Sequence, residues 1–318
     1  MKLNRYLLCA VFAGLICSSR ADAPKLAAVQ RPMSDIKPIA KYSIPGFPDW
    51  LAIGDSVWIS NKPKNNVSRV DPKTNQVAAV IPVGKAPCAG LALGFGSLWV
   101  PQCGDGTVLR IDLRTEKPIA TIKTGISNTE GGIATGAGSV WMPSDPAGVL
   151  SRIDPATNQV VSKIKLASDS NTAVFGEGAV WVTSSTNSLV SRVDPKSEKV
   201  TATIAVGPKP RFLAVGHGSV WVLNQGDGTV SRVDPKSNRV VATIAVEVPG
   251  EGGDIDTGEG SVWVTAGGKP LSRIDPSTNR VVKQFIGKGG DALRVGLGSV
   301  WLSCHEFQEV WRLDPKSL

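Results

Sequence analysis

Two histidines and five cysteines are the only imidazole and thiol groups in 318 residues, so acid–base, thiolate or metal chemistry must come from very few side chains. His305 stands in Ser303-Cys304-His305-Glu306, beside a thiol and a carboxylate, a set that offers proton transfer or cation ligation. His217 is the middle residue of Gly216-His217-Gly218 and reads as a turn residue without a chemical task. Asp49, Asp254, Asp291 and Glu306, with Glu130 and Glu251 beside glycine pairs, supply oxygen ligands of the kind Ca²⁺ accepts. No cofactor is predicted, and a divalent cation is what these carboxylates could hold. Arg211 and its near neighbour Lys209 are the basic counterweight, expected to meet an anionic group. Asn171 adds a neutral hydrogen-bonding group to the same ring of positions. No catalytic residue is assigned, because nucleophile motifs, zinc spacings and haem-attachment sequences are absent. Glu251-Gly252-Gly253-Asp254 and Glu130-Gly131-Gly132 lack the following helix that a phosphate loop needs.

These residues are placed by a unit that occurs seven times. Its tryptophan recurs at Trp58, Trp99, Trp141, Trp181, Trp221, Trp263 and Trp301. Its Arg-x-Asp recurs at Arg69/Asp71, Arg110/Asp112, Arg152/Asp154, Arg192/Asp194, Arg232/Asp234, Arg273/Asp275 and Arg312/Asp314. A period of 38 to 42 residues made of short alternating strands is the pattern of a β-propeller. The expected fold is all-β: seven four-stranded blades over residues 37–318, in one domain. In the fifth blade alternation predicts strands at 212–215, 219–223, 230–234 and 240–246. The C-terminus stops where the seventh blade still lacks its outer strand, and Lys37-Pro38-Ile39-Ala40-Lys41-Tyr42 parallels the outer strand at Lys117 to Ile122. The N-terminal strand should therefore complete that blade and close the ring.

One tryptophan per blade at fixed phase reads as packing between blades, and the repeated Arg-x-Asp as turn and blade anchors. Function is expected where blades differ, on loops after the tryptophan strand and at the entry to each innermost strand. Counting back ten residues from each tryptophan, and nine in blade one, puts Asp49, Ala89, Gly131, Asn171, Arg211, Gly253 and Asp291 around the channel mouth. Three positions further in, Asp256 and Arg294 replace small residues and are expected to pair. Counting outward from the Gly94-Phe95-Gly96-Ser97 turn sets Cys88 opposite Cys103, predicting a disulfide and leaving Cys304 free.

Residues 1–23 read as an export signal: Lys2 and Arg5, an apolar stretch from Tyr6 to Cys17, then small residues for cleavage after Ala21 or Ala23. Residues 24–36 read as a mobile leader. The mature chain is expected to be periplasmic or secreted, monomeric and without a membrane span, recognising a protein or small-molecule ligand. Loss of the signal leaves 32 basic and 26 acidic side chains, a dispersed net charge of +6. No basic stretch is interleaved with exposed aromatics, so nucleic-acid binding through charge is the least favoured class.

Gly-Ser-Val-Trp-Val at 218–222 and Val-Ser-Arg-Val-Asp-Pro at 230–235 resemble the YVTN-type β-propeller repeat family. The resemblance covers residues 37–318; it implies the propeller fold and leaves activity open, since the family mixes binding proteins with others. A more distant resemblance is to the streptogramin B (virginiamycin B) lyases, which implies a metal-assisted lyase or hydrolase as the alternative function. In that group a histidine follows a proline at the start of innermost strands, and a glutamate ends a tryptophan strand. Here those starts read Pro48-Asp49, Pro87-Cys88 and Pro210-Arg211, with neither residue in register.

Overall fold

The computed structural model describes residues 26–126, 130–247 and 249–318; the export signal expected at 1–23 lies outside them. Seven antiparallel sheets form the blades of a ring. Blade five has strands Pro210–Gly216, Ser219–Asn224, Thr229–Asp234 and Arg239–Ala245, within two residues of the expected bounds. Blade seven is completed as expected: Ala40–Ser43 pairs with Glu309–Leu313, Tyr42 opposite Val310. Among the described residues no helix is long and apolar enough to cross a membrane.

The repeated residues bind each blade to itself and to the next. In blades two to seven the tryptophan indole N–H donates to the carbonyl of the first glycine of its own Gly-x-Gly turn, at 3.0–3.1 Å. The blade's arginine lies over that indole and reaches the Asp-Pro turn of the following blade. Arg232 illustrates the clasp: Nε donates to Ser219, while Nη1 donates to the Pro276 carbonyl at 2.7 Å and to Asn279 Oδ1 at 2.9 Å. Arg312 does the same to Pro72 and Asn75 of blade one, carrying the clasp across the closure. Where the turn has glutamate instead of asparagine, the clasp becomes an ion pair, Arg69–Glu116 and Arg152–Glu198. Asn75, Glu116, Asn158, Glu198, Asn238 and Asn279 all have φ between 54° and 58°, a left-handed position asparagine tolerates well.

Of the stretch read as a mobile leader, residues 30–36 are instead docked. Gln30–Pro32 adds a fifth, parallel strand to blade six, beside Gln284–Ile286. Gln30 donates to Gln284 Oε1 at 2.8 Å, and Met33 and Ile36 are buried with Phe285 and Trp311. The physical reason is that an outer strand leaves an open edge, and two apolar side chains placed just beyond it gain by burial.

Candidate functional site

At the variable face the innermost strands lose strict alternation. In blade one Pro48 pairs with Asn61 and Leu51 with Ile59, so Asp49 and Trp50 together oppose Ser60. A similar irregularity in blade five makes Arg211 the extra residue, between Pro210 opposite Asn224 and Phe212 opposite Leu223. Such bulges re-aim side chains at the end of a strand. Here they turn Asp49, Trp50, Arg211 and Phe212 into a cavity of about 590 Å³ at the axial mouth.

The floor is aromatic. Trp50 and Phe212, from blades that are not neighbours, meet across the axis with ring centroids 5.3 Å apart. The Trp50 indole N–H is buried without an acceptor among the described residues. Phe47 overhangs the rim, 40 % exposed, and stacks on His305 at 4.1 Å. Its loop is held by Asn61, which accepts the Phe47 N–H at 3.0 Å and donates to the Pro45 carbonyl at 2.9 Å.

The wall is acidic. Asp49 is only 5 % exposed; burial, then Asp291 and Glu130, hold its carboxyl well above the usual carboxylate range. Asp291 accepts the Gly253 N–H at 3.0 Å through Oδ1 and stands 3.5 Å from His305 Nδ1 through Oδ2. Glu130 and Glu251 complete the acidic lining, with Arg211 as its cation. Burial lowers the Arg211 guanidinium, opposed by Glu130, Asp169 and Glu251 around it. An annexe of about 200 Å³ beside the cup brings in Glu306 and Lys288 next to His305.

The structure thus brings Asp49, Arg211, Asp291 and His305 together, with Glu306 in the annexe. It keeps three other candidates out of the cup. Asn171 is buried as a structural latch: its amide donates to Ser185 at 2.8 Å and its carbonyl accepts Thr183 at 3.0 Å. Lys209 is exposed on the turn before its strand, where its carbonyl accepts the Gln225 N–H. Asp254 lies deeper and holds Arg294 at 2.5 Å. The ion pair expected between Asp256 and Arg294 is formed with Asp254 instead; both carboxylates accept two backbone N–H groups, Ile255 and Leu293 on Asp254, Thr257 and Val295 on Asp256, and the Arg294 guanidinium adds its bond to Asp254. Cys88 and Cys103 are bonded, with Cα atoms 5.8 Å apart, and Cys304 is free and buried. Their opposition is not the expected one: the ladder stops at Ala92 and resumes with Pro87 opposite Gln102, so the bridge runs diagonally.

Sequence reading missed the aromatic part of the cup. Trp50 carried a signal, since it stands outside the seven-fold tryptophan phase. Phe47 and Phe212 carried none until the bulges were seen. Among the described residues no three His, Cys, Asp or Glu side chains gather as a metal-ligand group.

No protein-family model matches the chain, and no curated protein does. Solved structures match through the fold. A streptogramin B lyase has TM-score 0.72 at 14 % identity, covering 86 % of this chain and 96 % of that one. Kuenenia stuttgartiensis hydrazine synthase has TM-score 0.72 at 15 % identity, with 88 % and 98 % covered. U3-55K has TM-score 0.73 at 10 % identity, with 87 % and 100 % covered. Likeness at this identity is likeness of architecture, which unrelated functions share.

Proposed function

We propose that the chain is an exported binding protein that holds a ligand in the axial cup. The observation that carries this reading is the pocket itself: Trp50 and Phe212, with ring centroids 5.3 Å apart, line a concave mouth of about 590 Å³ together with a few polar side chains. Concave sites of that size, apolar with a few convergent polar groups, are what small ligands occupy. The Cys88–Cys103 bridge at the second blade's rim suits an oxidising compartment, periplasmic or extracellular. Acidic lining disfavours phosphate backbones, so the basic overall charge does not support a nucleic-acid partner.

A metal-assisted lyase or hydrolase is the second reading. It is favoured by the one imidazole–carboxylate pair in the cup, His305 and Asp291, and would place a proton acceptor at the mouth. A thermal-shift screen of the mature protein against Phe47→Ala separates the readings. A ligand that stabilises the parent, loses its effect in F47A and is recovered unchanged supports binding. Recovery as product supports the lyase, and no F47A-sensitive ligand overturns both.

A further inference from the structure

We infer that the cup binds a compact organic cation, an ammonium or guanidinium ion on an apolar body, with Asp49 as its counter-ion. The inference rests on the reading of the cup as a binding site and adds the chemical class of the ligand.

Asp49 is the first ground. Asp49 as a residue is only 5 % exposed, lines the cavity, and has no side-chain hydrogen bond or ion pair among the described residues. A polar group so little exposed is seldom left without a partner, and a carboxyl that lacks one is driven toward its neutral form. The partner that fits is one that enters the cavity. Aromatic faces are the second ground, because their negative quadrupoles attract cations. Phe47, Trp50 and Phe212 offer three, and Arg211 already lies 5.8 Å over the Phe212 ring. Charge is the third. Glu130, Glu251 and Asp291 share the wall with Asp49 against Arg211, in a chain whose overall charge is +8. An anionic ligand would meet that acidity at close range. A bare metal ion is served less well, because the carboxylates are spread around the rim and the floor offers no oxygen ligands.

Occupancy should also move a proton. Asp49 faces Asp291, Glu130 and Asp254, with Lys62 as the nearby cation, and burial first, then those carboxylates, shift its carboxyl upward toward the protonated form. An arriving cation favours the ionised form, so binding releases a proton and tightens as pH rises.

Isothermal titration of the mature protein with phenethylammonium, and with its neutral counterpart phenethyl alcohol, tests this. The ammonium should bind at least about tenfold tighter than the alcohol, with heats that change with the buffer's ionisation enthalpy. Asp49→Asn should erase that tenfold preference and the proton release together, while circular dichroism shows the fold retained. Equal binding of ammonium and alcohol, or F47A-sensitive binding of benzoate, would overturn the cation and leave the binding reading standing. Calcium chloride alone giving D49N-sensitive heat would reassign the carboxylates to a metal. No saturable binding of any probe at roughly 10 mM would remove both readings.

Discussion

Asp254 and Arg294 show how a single buried pair governs stability. Burial lifts the Asp254 carboxyl to about 6 while Arg294 pulls it down. Unfolded, it would titrate near 4. Between those values the folded chain holds a proton the unfolded chain has shed, so stability falls as pH rises from about 4 to about 6. Asp254→Asn should remove that part of the decline in urea titrations at stepped pH. Removing Arg294 strands Asp254 and the neighbouring Asp256, so Arg294→Ala should cost about 3–5 kcal/mol at neutral pH. The deficit should shrink as the medium is acidified and be smaller in D254N/R294A; a deficit independent of pH would refute the pairing. Cys304 makes a second test, since burial pushes its thiol up to about 12. Folded, unreduced mature protein should show no reactive thiol and unfolded protein one, whereas three would disprove the bridge. Asp49, Arg211 and Asp291 were legible in the sequence because they sit at fixed distances from the blade tryptophans. The Asp254 partnership was not: spacing singled out Asp256, and which of two neighbouring carboxylates the Arg294 guanidinium reaches depends on side-chain direction, which spacing does not carry.

At the scale of elements, the repeat explains itself through the arginine clasp. The Arg232 clasp uses two nitrogens of one planar group, Nε on Ser219 of its own blade and Nη1 on two acceptors of the next turn, a spread lysine's single nitrogen cannot copy. Arg232→Lys should lower stability by about 1–2 kcal/mol, in line with hydrogen bonds to charged groups. Glu198→Asn should cost little, since asparagine serves the same turn in other blades. Equilibrium denaturation of the two variants decides it, and equal losses would contradict the clasp. Blades and turns were readable because their residues recur at one phase with one geometry. Bulges were not, because nothing in Pro48-Asp49-Trp50-Leu51 marks where alternation slips by a residue. The docked N-terminal strand was missed for a related reason: three residues, Gln30–Pro32, are too few to show a period.

For the molecule as a whole, closure and the edge strand should separate under truncation. Deleting residues through Pro32 uncovers the blade six edge, with the packing of Leu26 and Val29, and should leave cooperative melting with a modestly lowered midpoint. Deleting through Ile44 removes the outer strand of blade seven and should abolish a single cooperative transition in calorimetry. Retained cooperativity in the longer deletion would mean the closure is dispensable. The contact between Trp50 and Phe212 acts at this same scale. Seven blades joined only to neighbours form a hoop, free to flatten into an ellipse; a strut along one diameter stiffens that diameter and leaves the crossing one soft. A guest wedged against the strut would press on two distant blades at once, so its arrival should be felt as slowed amide exchange on the far rims of blades one and five before it is felt in blade three.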